Sequence, residues 1–205
     1  MTRIVLATRN AGKIAELRRI LDGVEVVGLE EFPQAPDVPE TESTFAGNAL
    51  LKARAIAAHT GLPAVADDSG LCVDALNGMP GVLSARWSGR LGSATGDKDR
   101  ANLELVLDQI ADVAPGLRGA HFACAAALVL PDGTERVVEG RMTGQLIDAP
   151  RGTGGFGYDP IFVPDGESRT SAELSPEEKD AISHRGKAFR VLAEILPEVL
   201  ATGSV

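Results

Sequence analysis

The sequence predicts an α/β or α+β layered fold, a mixed β-sheet covered by helices. Short apolar runs of strand length alternate with segments of helical period through the first half of the chain. Two alternating runs around "PDGT" then read as an antiparallel hairpin, and two capped helical segments close the sequence. No internal repeat, low-complexity tract or separating linker interrupts the 205 residues, so a single domain is expected.

Arg3 to Thr8 reads as a buried strand, and Gly12 to Leu21 as a helix with Ile14, Leu17 and Leu21 on one face. Val24 to Leu29 is a second strand, followed by "EEFPQAPDVPE", whose prolines favour an extended loop. Thr44 caps a helix from Phe45 to His59 that Gly61 closes. Leu62 to Ala66 is a short strand running into Asp67-Asp68-Ser69-Gly70. Residues 77–98, rich in glycine and small polar residues, read as a long loop and a candidate for mobility. Asp99 to Ile110 is a helix; Phe122 to Leu130 and Arg136 to Ile147 are the hairpin strands. "APRGTGGFGYDPIF" is a loop leading into a strand. Ser175-Pro176-Glu177-Glu178 is a capping box with proline in the first turn, and Ser183 caps a last helix reaching Leu200.

Composition is that of a soluble globular protein, 44% apolar and 24% charged. The net charge is −9 with no Lys-Arg cluster to track a nucleic-acid backbone, which argues against duplex binding. An anionic substrate would need a local basic site set against that field. Cys72 and Cys124 lie in apolar surroundings and are expected as buried free thiols. With no CxxC and no paired-histidine spacing, a Cys/His zinc site is not expected. The first strand begins at Arg3 without a basic-then-apolar leader, and no apolar run approaches about 18 residues. A cytoplasmic protein with no membrane partner is therefore expected.

Two stretches imitate well-known motifs. "LATRNAGKI" carries Gly12-Lys13 after a strand, but a Walker A loop needs glycine where Ala7 stands and Ser or Thr where Ile14 stands. What remains is a strand end, a small-residue turn and a helix start whose free N–H groups favour an anion. Thr8 and Asn10 add hydrogen-bonding groups, and Lys13 adds a charge that an anion would offset. Gly152-Thr153-Gly154-Gly155-Phe156-Gly157 matches GxGxxG, yet a dinucleotide fingerprint needs a following helix and Pro160 drives Asp159 out of helical conformation. The segment instead offers a permissive backbone and Phe156, which can stack on a planar base.

Asp67-Asp68 at a strand end is the sharpest acidic signal. Adjacent strand residues point to opposite faces, so one carboxylate reaches a given site. Such a group suits Mg²⁺, with Glu40 as a second carboxylate. Asn48 and Lys52, spaced i, i+4, share a helix face, and Lys52 can reach phosphate. Ser183-His184-Arg185 offers donors to a ligand carbonyl.

Together these motifs resemble the inosine triphosphate pyrophosphatase family, which hydrolyses deaminated purine nucleoside triphosphates such as ITP, dITP and XTP to the monophosphate and pyrophosphate. The matching segments are "ATRNAGKIAEL", "ETESTFAGNALLKA", "ADDSGLCVDAL", "PGVLSARW", "GTGGFGYDPIF" and "SHRGKA", in order from Ala7 to Ala188. The resemblance implies an elongated α/β domain, residues 1–205, with two lobes around a central cleft and a homodimeric assembly. It implies that Thr8, Arg9, Asn10, Ala11, Gly12 and Lys13 hold the triphosphate, with Lys52 offsetting its charge. Glu40 and Asp68 would hold Mg²⁺, Asp68 would accept the proton of the attacking water, and Ser69 would touch substrate. Phe156 would stack on the base, Gly157, Tyr158 and Asp159 would complete its pocket, and Lys179, His184 and Arg185 would bind the purine. Donors from His184, Arg185 or backbone amides would favour a 6-oxo over a 6-amino group.

A pyrophosphatase preferring pyrimidine or modified nucleotides and a regulatory module without turnover are the alternatives. The joint presence of Asp68, Glu40 and Lys13 argues against the second, since binding alone needs no general base.

Overall fold

The computed structural model describes residues 3–9, 13–15, 18 and 25–202. Its frame is a six-stranded sheet of β1 (Arg3–Leu6), β2 (Glu25–Val27), β3 (Ala64–Val73), β4 (Gly119–Val129), β5 (Glu135–Leu146) and β6 (Phe162–Pro164), in the order β2-β1-β3-β4-β5-β6. β1 runs parallel to β2 and β3, pairing Val5 with Val27 and Leu6 with Val65, whereas β6 is antiparallel to β5. The sheet is mixed, as expected. Helices α1 (Phe45–Thr60), α2 (Gly89–Thr95), α3 (Lys98–Gln109), α4 (Pro176–Ile182) and α5 (His184–Thr202) complete the layers.

The chain divides into two compact units, one formed by residues 1–68, 124–140 and 184–205, the other by 69–123 and 141–183. In the first unit strand alternation sorts the core. Ile4, Leu6, Val65, Cys124, Ala126 and Leu128 join Phe189, Leu192 and Leu196 of α5. Their neighbours Val5, Ala64, Ala66, Ala125 and Ala127 join Ala49, Ala53 and Ile56 of α1. Successive side chains along a strand face opposite sides, so a helix covers each face. Thr44 Oγ1 accepts from Gly47 N at 3.0 Å to start α1, and Gly61 at φ 67° ends it. Gly140 permits a close approach, because a Cβ there would lie 2.1 Å from His184 O and 2.7 Å from Ala188 N. The first turn of α5 thus lies against the β5 backbone.

In the second unit one core gathers Leu71, Val73, Phe122, Met142 and Leu146 with Leu103, Val106 and Ile110 of the α3 region and with Tyr158, Ile161 and Phe162. β5 here alternates buried Met142, Gly144 and Leu146 with exposed Arg141, Thr143 and Gln145, the pattern of a sheet wetted on one face. The capping box at α4 is complete: Glu178 N donates to Ser175 Oγ at 3.2 Å and Ser175 N to Glu178 Oε2 at 2.8 Å.

Three expectations need correction. The strand expected to stop at Ala66 runs on to Val73, so Asp67 and Asp68 lie inside it, which is possible because both carboxylates are compensated by cations. Residues 77–98 are not one long loop; they hold a 3₁₀ segment, Gly81–Arg86, and α2. Buried hydrogen bonds pin them, from Leu71 N to Ser84 Oγ at 2.9 Å and from Ser88 N to Asn102 Oδ1 at 2.7 Å. The second strand is only Glu25–Val27, and Leu29–Glu31 turns as a 3₁₀ segment. Of the expected helix from Gly12 to Leu21, Lys13–Ala15 and Arg18 are helical and the remainder lies outside the described residues. Among the described residues no helix is long and apolar enough to cross a membrane.

Cys72 and Cys124 are buried and unbridged, and burial raises the pKa of the Cys72 thiol. Alkylation of the native protein should run more than about tenfold slower than after denaturation, because thiolate forms only on opening. Mass spectrometry with iodoacetamide measures it; equal rates would mean that the thiols are accessible in the native state.

Candidate active site

The site is built on the alternation of β3. Val65 belongs to the core under α5 and Ala66 to the core under α1, so the next two residues fall on the same two sides in turn. Asp67 meets cations from one set of elements: Lys13 Nζ donates to its Oδ2 at 2.8 Å, and Arg185 Nε, from the first turn of α5, donates to the same atom at 3.2 Å. Asp68 meets α1, where Asn48 Nδ2 donates to its Oδ2 at 3.0 Å and Lys52 Nζ lies 3.6 Å from its Oδ1. The i, i+4 spacing of Asn48 and Lys52 puts both on the face that covers this strand. Lys52 also donates to Glu40 Oε1 at 3.1 Å, and Asn48 Oδ1 accepts from Glu42 N at 2.9 Å. The proline-rich loop is thereby tied to the helix that serves Asp68.

The two carboxyls are driven in opposite directions. Burial opposes the charge of Asp67, yet Lys13 and Arg185 hold its carboxyl well below the usual carboxylate range. Burial pushes the Asp68 carboxyl up; Lys52 opposes this and the negative charge of Glu40 adds to it. Lys52 is itself buried, which disfavours its charge, but Asp68, Asp67 and Glu40 together raise its pKa. Asp67 is therefore a fixed anion, and Asp68 a carboxylate with increased proton affinity, the property a general base requires.

Glu40 and Asp68 offer oxygen ligands on two sides of one ammonium group, with repulsion between them that a bound cation would relieve. That donor set fits Mg²⁺, which takes one or two carboxylates and completes its shell with water and phosphate. Among the described residues no group of three or more His, Cys, Asp or Glu gathers around a common point.

The second unit holds the other group. Asp159 is buried, and its Oδ2 accepts from Phe156 N at 2.8 Å and from Lys179 Nζ at 2.6 Å. Lys179 Nζ also sits 5.2 Å from the Phe156 ring centroid, a cation–π distance. Gly157 N donates to Asp99 Oδ2 at 3.1 Å, and the buried Tyr158 hydroxyl donates to Ser84 O at 2.8 Å. Phe156 alone of these aromatic side chains is exposed, at 42%, so a planar group has a face to stack on. No dinucleotide helix follows; Asp159–Ile161 is a 3₁₀ turn opening β6.

The remaining expected residues are distributed as follows. Thr8 N donates to Leu6 O, and Arg9 is turned to the proline-rich loop, bonding Asp37 at 3.2 Å and Ala35 O at 3.0 Å. Asn10, Ala11 and Gly12 lie outside the described residues. Ser69 is half-buried in β3, directly after Asp68. His184 and Arg185 are buried at the start of α5, and Arg185 is engaged with Asp67 in the first unit. Three contributors escaped the sequence reading. Asp67 took second place to its neighbour, and Asn48 had no role despite its spacing from Lys52. Asp99 gave no signal, since it meets Gly157 only through tertiary folding.

Buried carboxylates matched with lysines in the first unit are chemistry suited to an anionic ligand, and the exposed aromatic on a glycine-rich turn of the second unit is suited to a planar ring. The chain belongs to the Ham1 family, a model of which matches residues 4–195. It is similar to a dITP/XTP pyrophosphatase of Streptomyces coelicolor, 66% identical over 204 residues that cover 98% of this chain and 100% of that one. A dITP/XTP pyrophosphatase of Mycobacterium bovis is 53% identical over 208 residues, covering 99% and 98%. Among solved structures, a HAM1 protein from Coxiella burnetii superposes with a TM-score of 0.86 at 42% identity, covering 97% of this chain and 100% of that one. A nucleoside-triphosphatase / dITP/XTP pyrophosphatase from Mycobacterium abscessus gives 0.75 at 56% identity, covering 93% and 98%.

Two predictions follow from the geometry of the first unit. Asn48→Ala removes a buried amide and leaves Glu42 N and Asp68 each short of a partner; urea denaturation should register a loss of about 1–3 kcal/mol. Asp67→Asn should cost about 3–5 kcal/mol near neutral pH, because the buried Arg185 and the half-buried Lys13 lose their counter-charge. The native Asp67 carboxyl lies below its unfolded value of about 3.9, so its stabilisation is full above that pH and lost as pH falls towards the lower native value. The deficit of the variant should therefore shrink in acid; a pH-independent deficit in urea melts would contradict an ionised Asp67.

Proposed function

We propose that the chain hydrolyses deaminated purine nucleoside triphosphates, ITP, dITP and XTP, to the nucleoside monophosphate and pyrophosphate. The observation that carries the reading is the buried Asp68, bonded to Asn48, paired with Lys52 and set beside Glu40. The names of the full-length relatives supply the substrate class.

In this reading Lys13 and Lys52 offset the charge of the triphosphate, with the turn after β1, residues Thr8 to Gly12, supplying hydrogen bonds. Asp68, with its increased proton affinity, takes the proton of a water that attacks the α-phosphorus; the α–β anhydride bond breaks and pyrophosphate leaves. Asn48 holds the carboxylate in orientation, so little reorganisation is needed at the moment of transfer. Glu40 and Asp68 would hold Mg²⁺, which when bound neutralises charge on the phosphate oxygens and leaving group. Ser69 contacts the substrate next to the base. Phe156 stacks on the purine, with Gly157, Tyr158, Asp159 and Lys179 forming its surroundings, and His184 and Arg185 contribute from α5.

Selection of a 6-oxo purine follows from donors that would meet the 6-amino group of adenine unpaired. The amides of Phe156 and Gly157 are occupied by Asp159 and Asp99, so His184, Arg185 or other backbone amides would supply those donors. The family resemblance adds a single catalytic domain, a homodimeric working form and a cytoplasmic location to this reading, with no role for nucleic acid.

The experiment is product analysis with Mg²⁺ and ITP, XTP, dITP, ATP, GTP and dTTP in parallel. Monophosphate plus pyrophosphate from the deaminated purines supports the reading. Orthophosphate release would place attack elsewhere, and preference for dTTP would make this a pyrimidine enzyme. Asp68→Asn should lower kcat by at least about 100-fold while nucleotide binding stays within tenfold; lost binding would reject its role as base.

A further inference from the structure

We infer that Asp67 is a positioning residue that fixes the Lys13 ammonium for the triphosphate and locks the start of α5 through Arg185. The inference rests on the proposed reading, in which Lys13 engages phosphate. One carboxylate oxygen receives both cations, Lys13 Nζ at 2.8 Å and Arg185 Nε at 3.2 Å. The Asp67 side chain is 1% exposed and that of Arg185 3%, while that of Lys13 keeps 17%. Asp67 is thus shut away from any ligand, and the group it holds is the one that retains access.

The charges make this more than an ordinary ion pair. Among the described residues, Lys13, Lys52 and Arg185 pair with Glu40, Asp67 and Asp68. A site shaped only to attract a polyanion would do better without Asp67, whose charge weakens the attraction. Its contribution is geometric: a lysine with a flexible stem is held to one position, and the entropy of ordering it is spent before substrate arrives. Asp67 and Asp68, adjacent in sequence, then divide the work. One reacts with water, and the other sets where the phosphate-binding cation stands.

Kinetics of Asp67→Asn on ITP tests this. The kcat should fall between about 10- and 100-fold, the scale of a misplaced reacting group, while KM does not rise, since the site becomes more positive. In a Lys13→Gln background the same substitution should cost little more, because the residue through which it acts is gone. An unchanged kcat, a raised KM, or a loss that adds fully to that of Lys13→Gln would overturn the assignment. Should Asp67→Asn fail to fold, Asp67→Glu keeps the charge and shifts the carboxylate by one methylene. A lowered kcat at unchanged KM then supports the assignment, and a wild-type kcat overturns it. A readout independent of turnover separates this inference from the proposed function. Amine labelling of Lys13, followed by mass spectrometry, should be faster in the variant than in the wild-type protein, and equal rates would overturn the positioning role even if no triphosphate is hydrolysed.

Discussion

Two consecutive carboxylates can be buried in one strand only if each meets its own compensating charge, because an isolated ion in the protein interior costs several kcal/mol. Asp67 and Asp68 satisfy this by the two-residue period of β3, which sends them to opposite sides of the sheet. The rest of the first unit is arranged to supply the partners. α1 brings Asn48 and Lys52 to one side; Lys13 and the start of α5 bring cations to the other. The absence of a side chain at Gly140 is part of the same arrangement, since it lets the backbone of α5 approach β5 at the turn that carries Arg185.

Small side chains serve the other face. Ala49, Ala53 and Ala57 of α1 pack with Ala64, Ala66, Ala125 and Ala127 of the sheet, so helix and strands meet through short side chains on both surfaces. Close packing of this kind leaves no slack for rotation about the helix axis. The registers of Asn48 and Lys52 over Asp68 are therefore set by a core that contains none of the reactive groups. The opposite face uses larger residues, Phe189, Leu192 and Leu196, of a helix whose first turn carries Arg185, the partner of Asp67.

Much of this was legible in the sequence. Period-2 and period-3.6 patterns located β1, α1, α3 and the hairpin, and the local chemistry of Ser175 to Glu178 specified a complete capping box. Local rules failed where tertiary partners override them. Asp67-Asp68-Ser69-Gly70 has turn composition, yet it is strand because cations from distant segments make burial of the acids tolerable. Residues 77–98 look like a loop because their helical turns are short and glycine-rich, and the bonds that order them come from Leu71 and Asn102. For the candidate site, residue types and spacing singled out Asp68, Lys52 and Glu40, which the structure brings together, and Phe156, which it leaves exposed. They could not reveal that Arg185 is engaged with Asp67 or that Asp99 holds Gly157, contacts that span 118 and 58 positions.

The ion pairs of the first-unit cluster bear on how a chain of net charge −9 would serve a polyphosphate. Among the described residues, three cations there are paired with three carboxylates, so each already faces a negative partner. In the proposed reading added positive charge favours binding, and Glu40 and Asp68 would provide the place for a divalent cation accompanying the substrate. The same electrostatics raise the proton affinity of Asp68, which in the proposed reading suits it to take the proton of the attacking water.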